Sequence, residues 1–274
     1  MCEIAVIIAT YNRKDMLKKA LLAYNHQTFR DFEVIIASDG SGDGTSEMVS
    51  ELKSSLRYPV SLLWQEDRGF RKCRIVNQAI LSTRSPWIVF TDDDMVPPPF
   101  YLEKHRKKLA PSTLVFAKYL PVFVGDPLFE EENIVNLNYM KRFKLSDLFH
   151  LLYWKWKYHL YFWNHHPTRP KLNGGNFSVD RSSLLAINGL DNDFSGWGYE
   201  DDDLRRRLLK SGASRKECVL GGWVFNLGYE TKAKTTTDDS RARYNKSLAY
   251  DESRPVFCSN GLSSLIFRAD RERN

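Results

Sequence analysis

The amino-acid sequence predicts an α/β fold in which helices cover both faces of a mostly parallel sheet. Over roughly the first hundred residues, short apolar runs alternate with segments of helical periodicity, as in parallel sheets. A polar loop follows each apolar run. The chain has 274 residues, of which 42% are hydrophobic. This suffices to bury one core, in a single large domain or in a domain with a substantial insertion.

Four strands and three helices are predicted in this first part. The runs EIAVIIA, EVIIAS, VSLLWQ and WIVFT are short and largely apolar, and all but VSLLWQ are rich in Ile and Val, which indicates buried strands. Met16, Leu17 and Tyr24 lie at helical spacing, and a second helix is expected to start near Thr45 with a Ser or Thr cap. The predicted strands cover residues 3–9, 33–38, 60–65 and 87–91, and the helices cover 14–26, the segment from about Thr45, and 71–82.

The second half of the chain shows a less regular pattern. Residues 139–166 are basic and aromatic and predict a helical insertion. Residues 204–212 indicate the end of a helix closed by Gly212. Residues 230–254 are polar with few apolar anchors, which predicts a long loop or lid, and the charged tail from Arg268 is expected to fray.

Composition and charge narrow the classes of partner. The formal net charge of +6 favours acidic partners such as nucleotide phosphates or anionic lipid. The sequence has no zinc finger, recognition-helix pattern or RNP-like motif, so nucleic acid, suggested only by charge, is not expected as a partner. The cysteines are widely spaced, no signal peptide is visible, and no apolar run approaches the ~20 residues of a membrane span. These features predict a reduced, cytoplasmic protein.

Four polar loops are expected to meet at one edge of the predicted sheet. They are TYNR (10–13), DGSGDGT (39–45), QEDRGFR (65–71) and DDD (92–94), and each follows a predicted strand. Because ligands of such sheets bind at the carboxyl ends of the strands, the four loops together predict a binding site. The cations around Arg71 would suit a diphosphate there, although a basic surface loop is the alternative.

The acidic loops leave alternatives open. Asp39, Ser41 and Asp43 resemble the start of an EF-hand calcium loop, but Ser50 stands where that loop needs a bidentate Glu. The stretch is therefore either an ordinary turn or a loop that faces a ligand. Adjacent carboxylates at 92–94 repel one another without a cation, so they either hold Mg²⁺ or Mn²⁺ together with a diphosphate or cap a helix.

A second acidic cluster, Glu200 to Asp203, follows the run Gly196-Trp197-Gly198-Tyr199. Acids in the first turn of a helix and arginines in a later turn match the helix dipole, which is one explanation. A tryptophan between two glycines has little local cover, however, and would present its face to a sugar ring. Carboxylates beside such a platform suggest hydrogen bonds to an acceptor and one general base.

Taken together, these stretches resemble the GT-A glycosyltransferases of family 2. The second half resembles the acceptor region of the β-1,4-galactosyltransferase and chondroitin polymerase type. The resemblance implies a nucleotide-sugar-binding half over 1–110 and an acceptor-binding half over 111–274 of one GT-A domain, with a helical insertion at 139–166 and a lid and tail at 230–274. The matching stretches, which cover roughly residues 3–230 in the expected order, are residues 9–13, 39–45, 65–71, 92–94, 174–178 and 196–204.

The resemblance also implies roles for single residues. In the donor half, one group of side chains would hold the nucleotide sugar and Asp94 would bind the metal. In the acceptor half, Trp197 would stack on donor or acceptor sugar, Glu200 would bind the acceptor, and Asp201 would be the general base. The nucleotide-sugar group comprises Thr10, Tyr11, Arg13, Asp39, Arg71, Asp92, Asp93 and Trp197.

One departure from the family pattern concerns the metal. The family places a histidine ligand after a strand, whereas this sequence has Asn226 at that position and Tyr229 at a second histidine position. An asparagine carbonyl can coordinate a hard cation, but it is neutral and usually binds Mn²⁺ more weakly. The nearby His165 and His166 are alternative ligands that no spacing requires.

The basic, aromatic insertion has two interpretations. Its lysines alternate with Trp154, Trp156 and Trp163, a composition that suits a helix at a membrane interface. In that case the protein would lie peripherally on the inner face of the membrane and its acceptor would be a lipid-linked sugar. Alternatively, the helix packs over the acceptor cleft with its lysines exposed.

The sequence therefore predicts an inverting, metal-assisted glycosyltransferase of cell-envelope polysaccharide biosynthesis. It would move a hexose or N-acetylhexosamine from a UDP-sugar to a glycan or lipid-linked glycan, with Mn²⁺ or Mg²⁺ as cofactor. Because the chain has no transmembrane segment and no QxxRW motif, a processive synthase is not expected. The alternative is a non-catalytic nucleotide-sugar-binding module, which would bind UDP and transfer nothing.

Overall fold

A seven-stranded sheet forms the centre of the fold. The computed structural model describes residues 1–196, 198–228 and 239–271. The strands in these ranges are β1 (Ile4–Thr10), β2 (Phe32–Ser38), β3 (Val60–Trp64), β4 (Trp87–Asp92), β5 (Met95–Val96), β6 (Thr113–Phe116), β7 (Tyr119–Pro121), β8 (Asn176–Asp180), β9 (Ser214–Glu217) and β10 (Val224–Asn226).

The topology of the large sheet is mostly parallel, as predicted. Its strand order is β3-β2-β1-β4-β8-β6-β9. The first four strands in this order run parallel, β8 runs antiparallel to both β4 and β6, and β9 is parallel to β6. The four predicted strands are those four parallel neighbours, with boundaries within one residue of the prediction.

Strand register brings the four predicted loops to one level. Thr10 at the end of β1 pairs with Ser38 of β2, and Ser38 in turn pairs with Trp64 of β3. On the other side of β1, Ala9 pairs with Asp92 of β4. Because these strands are parallel and end together, their polar loops share one rim of the sheet.

Helices cover both faces of the sheet. One face of the core contains side chains such as Ile7 and Phe90, and the other contains side chains such as Val6 and Leu17. The helices of the described ranges are α1 (Lys14–Tyr24), α2 (Thr45–Leu52), α3 (Lys72–Ser82), α4 (Tyr101–Lys108), α5 (Glu131–Val135), α6 (Leu145–Trp163), α7 (Arg181–Ala186), α8 (Glu200–Lys210), α9 (Asp239–Ala249) and α10 (Leu262–Arg271), with 3₁₀ turns at Lys53–Ser55, Pro127–Phe129 and Asn138–Arg142. Nowhere in those ranges does a helix combine the length and apolarity that crossing a bilayer requires.

Helix α8 begins at Glu200, so the acidic cluster forms its first turn, as the helix-dipole explanation predicts. Two other sequence expectations need correction. The cap of α2 is Gly44 in the left-handed region rather than a Ser or Thr, because Asp43 before it already accepts from the Thr45 amide. The loop expected over 230–254 contains α9, which is held by hydrogen bonds from Asn245 to two backbone carbonyls before α8. Residues 230–238 lie outside the described ranges.

A small second sheet joins the two halves of the chain at the rim. In it, β10 pairs antiparallel with β5 and parallel with β7. The register places Asn226 opposite Met95, and the Leu227 amide donates to the Asp94 carbonyl at 2.8 Å. A residue of the second half is therefore fixed beside the acidic loop of the first half.

Candidate active site

The first three rim loops are tied to one another by hydrogen bonds. The Tyr11 hydroxyl donates to Asp67 at 2.8 Å, and the Asn12 amide donates to Ser41 Oγ at 3.0 Å. The Asn12 side chain in turn accepts from the Gly42 amide at 2.9 Å. A Cβ on Gly40, which has a φ of 88°, would lie 2.6 Å from the Asp67 Cα, so this position requires glycine. The loops thus form one rigid shelf.

Asp39 lies at the centre of this shelf. It is buried, and its two oxygens accept from the Gln65 side-chain amide at 2.5 Å and from the Arg71 backbone amide at 2.6 Å. Burial raises the pKa of Asp39, and these two hydrogen bonds oppose the rise. The Arg71 guanidinium donates to the Glu66 carbonyl, which keeps it at the same loop.

Thr10 and Asp93 contact each other inside the protein. Both side chains are buried, and the Thr10 hydroxyl donates to Asp93 Oδ2 at 2.7 Å. Burial, reinforced by the neighbouring Asp94 carboxylate, raises the pKa of Asp93 to about 7. The contact between these two residues connects the first loop to the acidic loop. Their direct contact with a nucleotide stays a prediction.

Asp94 and Asn226 offer oxygen donors for a cation. Asp94 is buried, its Oδ1 accepts from Asn226 Nδ2 at 3.3 Å, and its Oδ2 lies 3.2 Å from the Arg13 guanidinium. Asn226 Oδ1 is also buried and accepts no hydrogen bond from the described residues. A carboxylate and an unpaired amide carbonyl fit Mg²⁺ or Mn²⁺ if a diphosphate and water fill the other positions.

The structure offers no richer metal ligand set in the residues that it describes. No group of three or more His, Cys, Asp or Glu side chains there is arranged to hold an ion. His165 and His166 follow the end of α6, and His166 Nδ1 accepts from the Thr168 amide. Tyr229, at the second histidine position of the family, lies outside the described residues.

Four charged side chains meet at the carboxyl end of β4. Lys72 Nζ lies 3.3 Å from Asp92 Oδ1 and 3.7 Å from Glu200 Oε1. Burial lowers the pKa of Lys72, but the carboxylates of Asp92, Asp201 and Glu200 outweigh burial and raise it well above its ordinary value. The lysine is therefore a fixed positive charge among three acids that come from distant parts of the chain.

Asp201 is the most perturbed acid of this cluster. It is partly buried in the first turn of α8. Burial, together with the negative charge of Glu200, raises its pKa to about 8, although Lys72 opposes the rise. A carboxylate with such a pKa can accept a proton near neutral pH, which is the property of a general base. The adjacent Glu200 is buried, and its Oε2 has no hydrogen-bond partner in the described residues.

Two successive glycines make room for the acids. A Cβ on Gly174 would overlap the carboxylate of Asp201, and a Cβ on Gly175 would lie 2.5 Å from Asp92 Oδ2. The backbone before β8 thus closes against both side chains. This close approach explains the glycine pair at 174–175.

We expect Gly174→Ala to displace the Asp201 carboxylate and to reduce kcat by roughly 100-fold for the transfer reaction that the sequence predicts. Affinity for the predicted nucleotide should change little, because the three nearest atoms that an added Cβ would meet all belong to Asp201. Steady-state kinetics and calorimetry with UDP measure the two effects. Gly42→Ala is the matched control, because a Cβ there meets nothing within 4 Å. Equal losses in both variants would contradict the prediction.

The turn before α8 depends on unusual backbone angles. Gly196, Gly198 and Tyr199 have φ values of 76°, 106° and 71°. The two glycines therefore allow a sharp left-handed entry into the helix, in addition to flanking Trp197. Trp197 itself lies outside the described residues, so its stacking role stays a prediction.

Several residues at the site were not singled out from the sequence. Gln65 and Asp67 lie in a loop that was recognised, but side-chain contacts between loops leave no periodic signal. In the sequence, Lys72 is one of several cations near Arg71, and nothing distinguishes it from the others. Its special position depends on α8 packing near α3, which the sequence pattern does not reveal.

The comparisons with known proteins agree with this geometry. Residues 5–168, more than half of the chain, match the family model described as glycosyl transferase family 2. Residues 155–221 match a model described as the N-terminal domain of galactosyltransferase. Both parts of the family resemblance found in the sequence are thereby confirmed.

Individual relatives are distant. Chondroitin synthase of Escherichia coli is 24% identical over 237 residues, which covers 76% of this chain and 32% of that protein. Validoxylamine A glucosyltransferase of Streptomyces hygroscopicus subsp. jinggangensis is 27% identical over 238 residues, covering 76% of this chain and 52% of that protein. The chain thus spans about a third of the first of these proteins and about half of the second.

A solved structure has the same fold. Mannosyltransferase PcManGT from Pyrobaculum calidifontis, in complex with GDP-Man and Mn²⁺, superposes with a TM-score of 0.58 at 15% identity, covering 93% of this chain and 66% of that one. This likeness confirms the GT-A architecture predicted from the sequence. Together with the family match over more than half of its length, it identifies the protein: the chain belongs to glycosyl transferase family 2.

Proposed function

We propose that this protein is an inverting glycosyltransferase that moves a hexose or N-acetylhexosamine from a UDP-sugar to a hydroxyl group of a glycan or lipid-linked glycan. The observation that carries the proposal is the position of Asp201. A carboxylate with a raised pKa lies at the rim beside the loops of the proposed nucleotide site, next to Glu200 and Lys72. Polysaccharide biosynthesis of the cell envelope is the process we infer.

The shelf is the proposed uridine site. The buried Asp39 has its carboxylate held by Gln65 and Arg71, and such a fixed acceptor suits the imide N–H of a uracil. Tyr11 is half-exposed and its hydroxyl is anchored to Asp67, so its ring can cover the base. Arg71 contributes positive charge on the side where the diphosphate would lie.

Asp94 and Asn226 are the proposed ligands of Mg²⁺ or Mn²⁺. When bound, the cation would supply positive charge to the diphosphate leaving group. Arg13, which contacts Asp94 and lies 3.7 Å from Asp93, holds the acidic loop in place. Asp92 contacts Lys72 instead, so we place it beside the sugar of the donor and not among the ligands of the cation.

Asp201 performs the proposed proton transfer. Its carboxylate takes the proton of the acceptor hydroxyl, and the resulting oxygen forms a bond to the anomeric carbon from the face opposite UDP. The bond between that carbon and the β-phosphate oxygen breaks, and UDP leaves with the electron pair. The configuration at the anomeric carbon is therefore inverted.

Glu200 and Lys72 prepare this step. The buried and unpartnered Glu200 Oε2 can accept a hydrogen bond from a second acceptor hydroxyl, which orients the first one toward Asp201. Lys72 favours the anionic form of Asp201 before the acceptor binds. Trp197, just before α8, is the proposed platform for a sugar ring.

Donor hydrolysis tests the proposal without knowledge of the acceptor. UDP release is measured over a panel of UDP-sugars with Mn²⁺, Mg²⁺ or EDTA. We expect slow release from one donor, dependent on the metal and lost in Asp94→Ala. A protein that binds UDP by calorimetry yet releases none from any donor, with or without candidate oligosaccharides, would instead be the non-catalytic binding module.

A further inference from the structure

Helix α6 presents a continuous row of apolar side chains to solvent. Trp156 is 58% exposed and Trp163 is 81% exposed. The row follows a spacing of three or four residues, so all its members lie along one face of the helix. This outer stripe consists of Leu145, Phe149, Leu152, Trp156, Leu160 and Trp163.

The outer stripe is not needed to attach α6 to the protein. The opposite face of the helix buries Leu151 and Tyr158. Phe116 of β6 packs against Tyr158 and Phe162, with ring centroids 6.3 and 5.8 Å apart. One face of α6 is packed and the exposed face is apolar, so the exposed face is a candidate binding surface.

Most charges on α6 and in the residues just before it are positive, although Glu217 of β9 lies 3.7 Å from His159 and Asp126 lies 3.6 Å from Arg142. In the sequence from 139 to 166, Asp147 is the single carboxylate, and it is bound to the Lys144 amide and to Arg142. Lys157 and Lys118 both lie over the Trp154 ring, 5.2 and 3.9 Å from its centroid. Burial, with some repulsion from Lys157, lowers the pKa of Lys118 to about 8. Because Trp154 packs against the core, the Lys118 contact lies on the inner face of α6, and Lys155 and Lys157 supply the positive charge that an anionic partner can reach.

A second copy of the chain is a poor partner for this face. Lys155 and Lys157 lie close to the middle of α6, which spans residues 145–163. Two copies that paired along their stripes, parallel or antiparallel, would therefore bring these lysines together without a carboxylate to separate them. An anionic bilayer accepts both the tryptophans and the cations.

We propose that α6 docks its outer stripe on an anionic lipid surface, with Trp156 and Trp163 at the level of the headgroups. Eight residues after Trp163, Lys171 lies 3.4 Å from Asp202 and over the Tyr199 ring, so the end of α6 is connected by a short segment to the start of α8. This inference rests on the proposed function, and it adds that the acceptor is a glycan whose lipid carrier lies in the same membrane.

Vesicle flotation tests the docking surface. The full chain is mixed with phosphatidylcholine vesicles that contain or lack phosphatidylglycerol. We expect flotation with the anionic vesicles only, weakening as salt increases. W156S/W163S should reduce the partition coefficient at least ~10-fold, whereas the control Y244S/F257S, which removes exposed aromatic rings elsewhere, should not. Circular dichroism verifies that each variant is folded.

A charge variant and sedimentation complete the test. K155E/K157E should bind anionic vesicles more weakly and leave α6 helical. Wild-type protein that fails to float, or W156S/W163S that floats like wild type, would overturn the proposal. Concentration-dependent dimerisation lost in W156S/W163S would assign the stripe to a second copy instead. Donor hydrolysis without an acceptor should be the same in all these variants, so failure of docking is distinct from failure of the proposed transferase activity.

Discussion

Replacement of Asp201 by asparagine is expected to lower kcat by about 10²–10⁴-fold, the usual contribution of a general base. Asparagine has the same shape as aspartate but cannot take a proton from the acceptor. The shelf around Asp39 is not touched, so the affinity for UDP should remain within about twofold. Transfer rates with a saturating acceptor and calorimetry with UDP measure the two quantities.

Asp202→Asn is the matched control for Asp201→Asn. Asp202 is the next acid on α8, and its Oδ2 accepts from the Tyr250 hydroxyl at 3.0 Å. It points away from the Lys72 cluster toward Lys171, so its replacement should change kcat by less than about tenfold. If Asp201→Asn keeps more than a tenth of the wild-type rate, Asp201 is not the base.

The pH dependence of the same variant provides a second, independent measurement. A base must be deprotonated, so kcat/KM should rise with pH as Asp201 loses its proton near pH 8. This rise should be absent from the residual activity of Asp201→Asn. If kcat/KM of the variant still rises with the same midpoint, another titrating group is responsible for the rise.

The stability of the folded protein should fall over the pH range in which kcat/KM rises. The folded-state pKa of Asp201 is raised from an ordinary value of 3.8 to about 8, so the folded protein binds this proton more tightly than the unfolded chain. The resulting stabilisation is complete below the unfolded pKa and is lost as pH rises through about 8. At pH 9, Asp201→Asn should therefore melt at a higher temperature than wild type, as differential scanning calorimetry would reveal.

The rim of the site could be predicted because its signals are local. Buried strands and polar loops alternate in the first half, and parallel strands must end at a common edge. Asp39, Asp92 and Asp94 were placed correctly at that edge by this logic alone. The sequence did not reveal that Asp93 turns inward to Thr10, since three adjacent aspartates look alike until the backbone fixes their directions.

The arrangement of the second half of the chain was less predictable because its contacts with the first half are long-range. Lys72 and Glu200 are far apart in the chain, and nothing periodic connects them. In α6, apolar residues occupy both faces, so the pattern cannot distinguish the side that packs on Phe116 from the outer stripe. Only the tertiary arrangement decides which face is covered.

The largest effect on stability is expected at Asp203. Its two oxygens accept from Arg207 Nε at 2.7 Å and from Arg206 Nη2 at 3.0 Å, and Arg254 lies 3.8 Å away. Asp203 and Arg207 are each 1% exposed. Among the described residues, Asp203→Ala leaves the buried Arg207 with two backbone carbonyls, of Ile187 and Gly189, as partners. Such an uncompensated charge costs about 3–5 kcal/mol.

Urea unfolding separates this buried cluster from ordinary surface pairs. Glu252 forms an ion pair with Lys210 at 2.7 Å but is 79% exposed, so Glu252→Ala should cost less than about 1 kcal/mol. D203L/R207M removes both members of the closest pair and should recover part of the loss, because Arg206 still loses Asp203 as its partner. Asp203→Ala no more destabilising than Glu252→Ala would mean that the cluster does not hold α8. In that case other contacts of the first turn of α8 must hold Asp201 in place, such as those with Gly174, Lys72 and Tyr250.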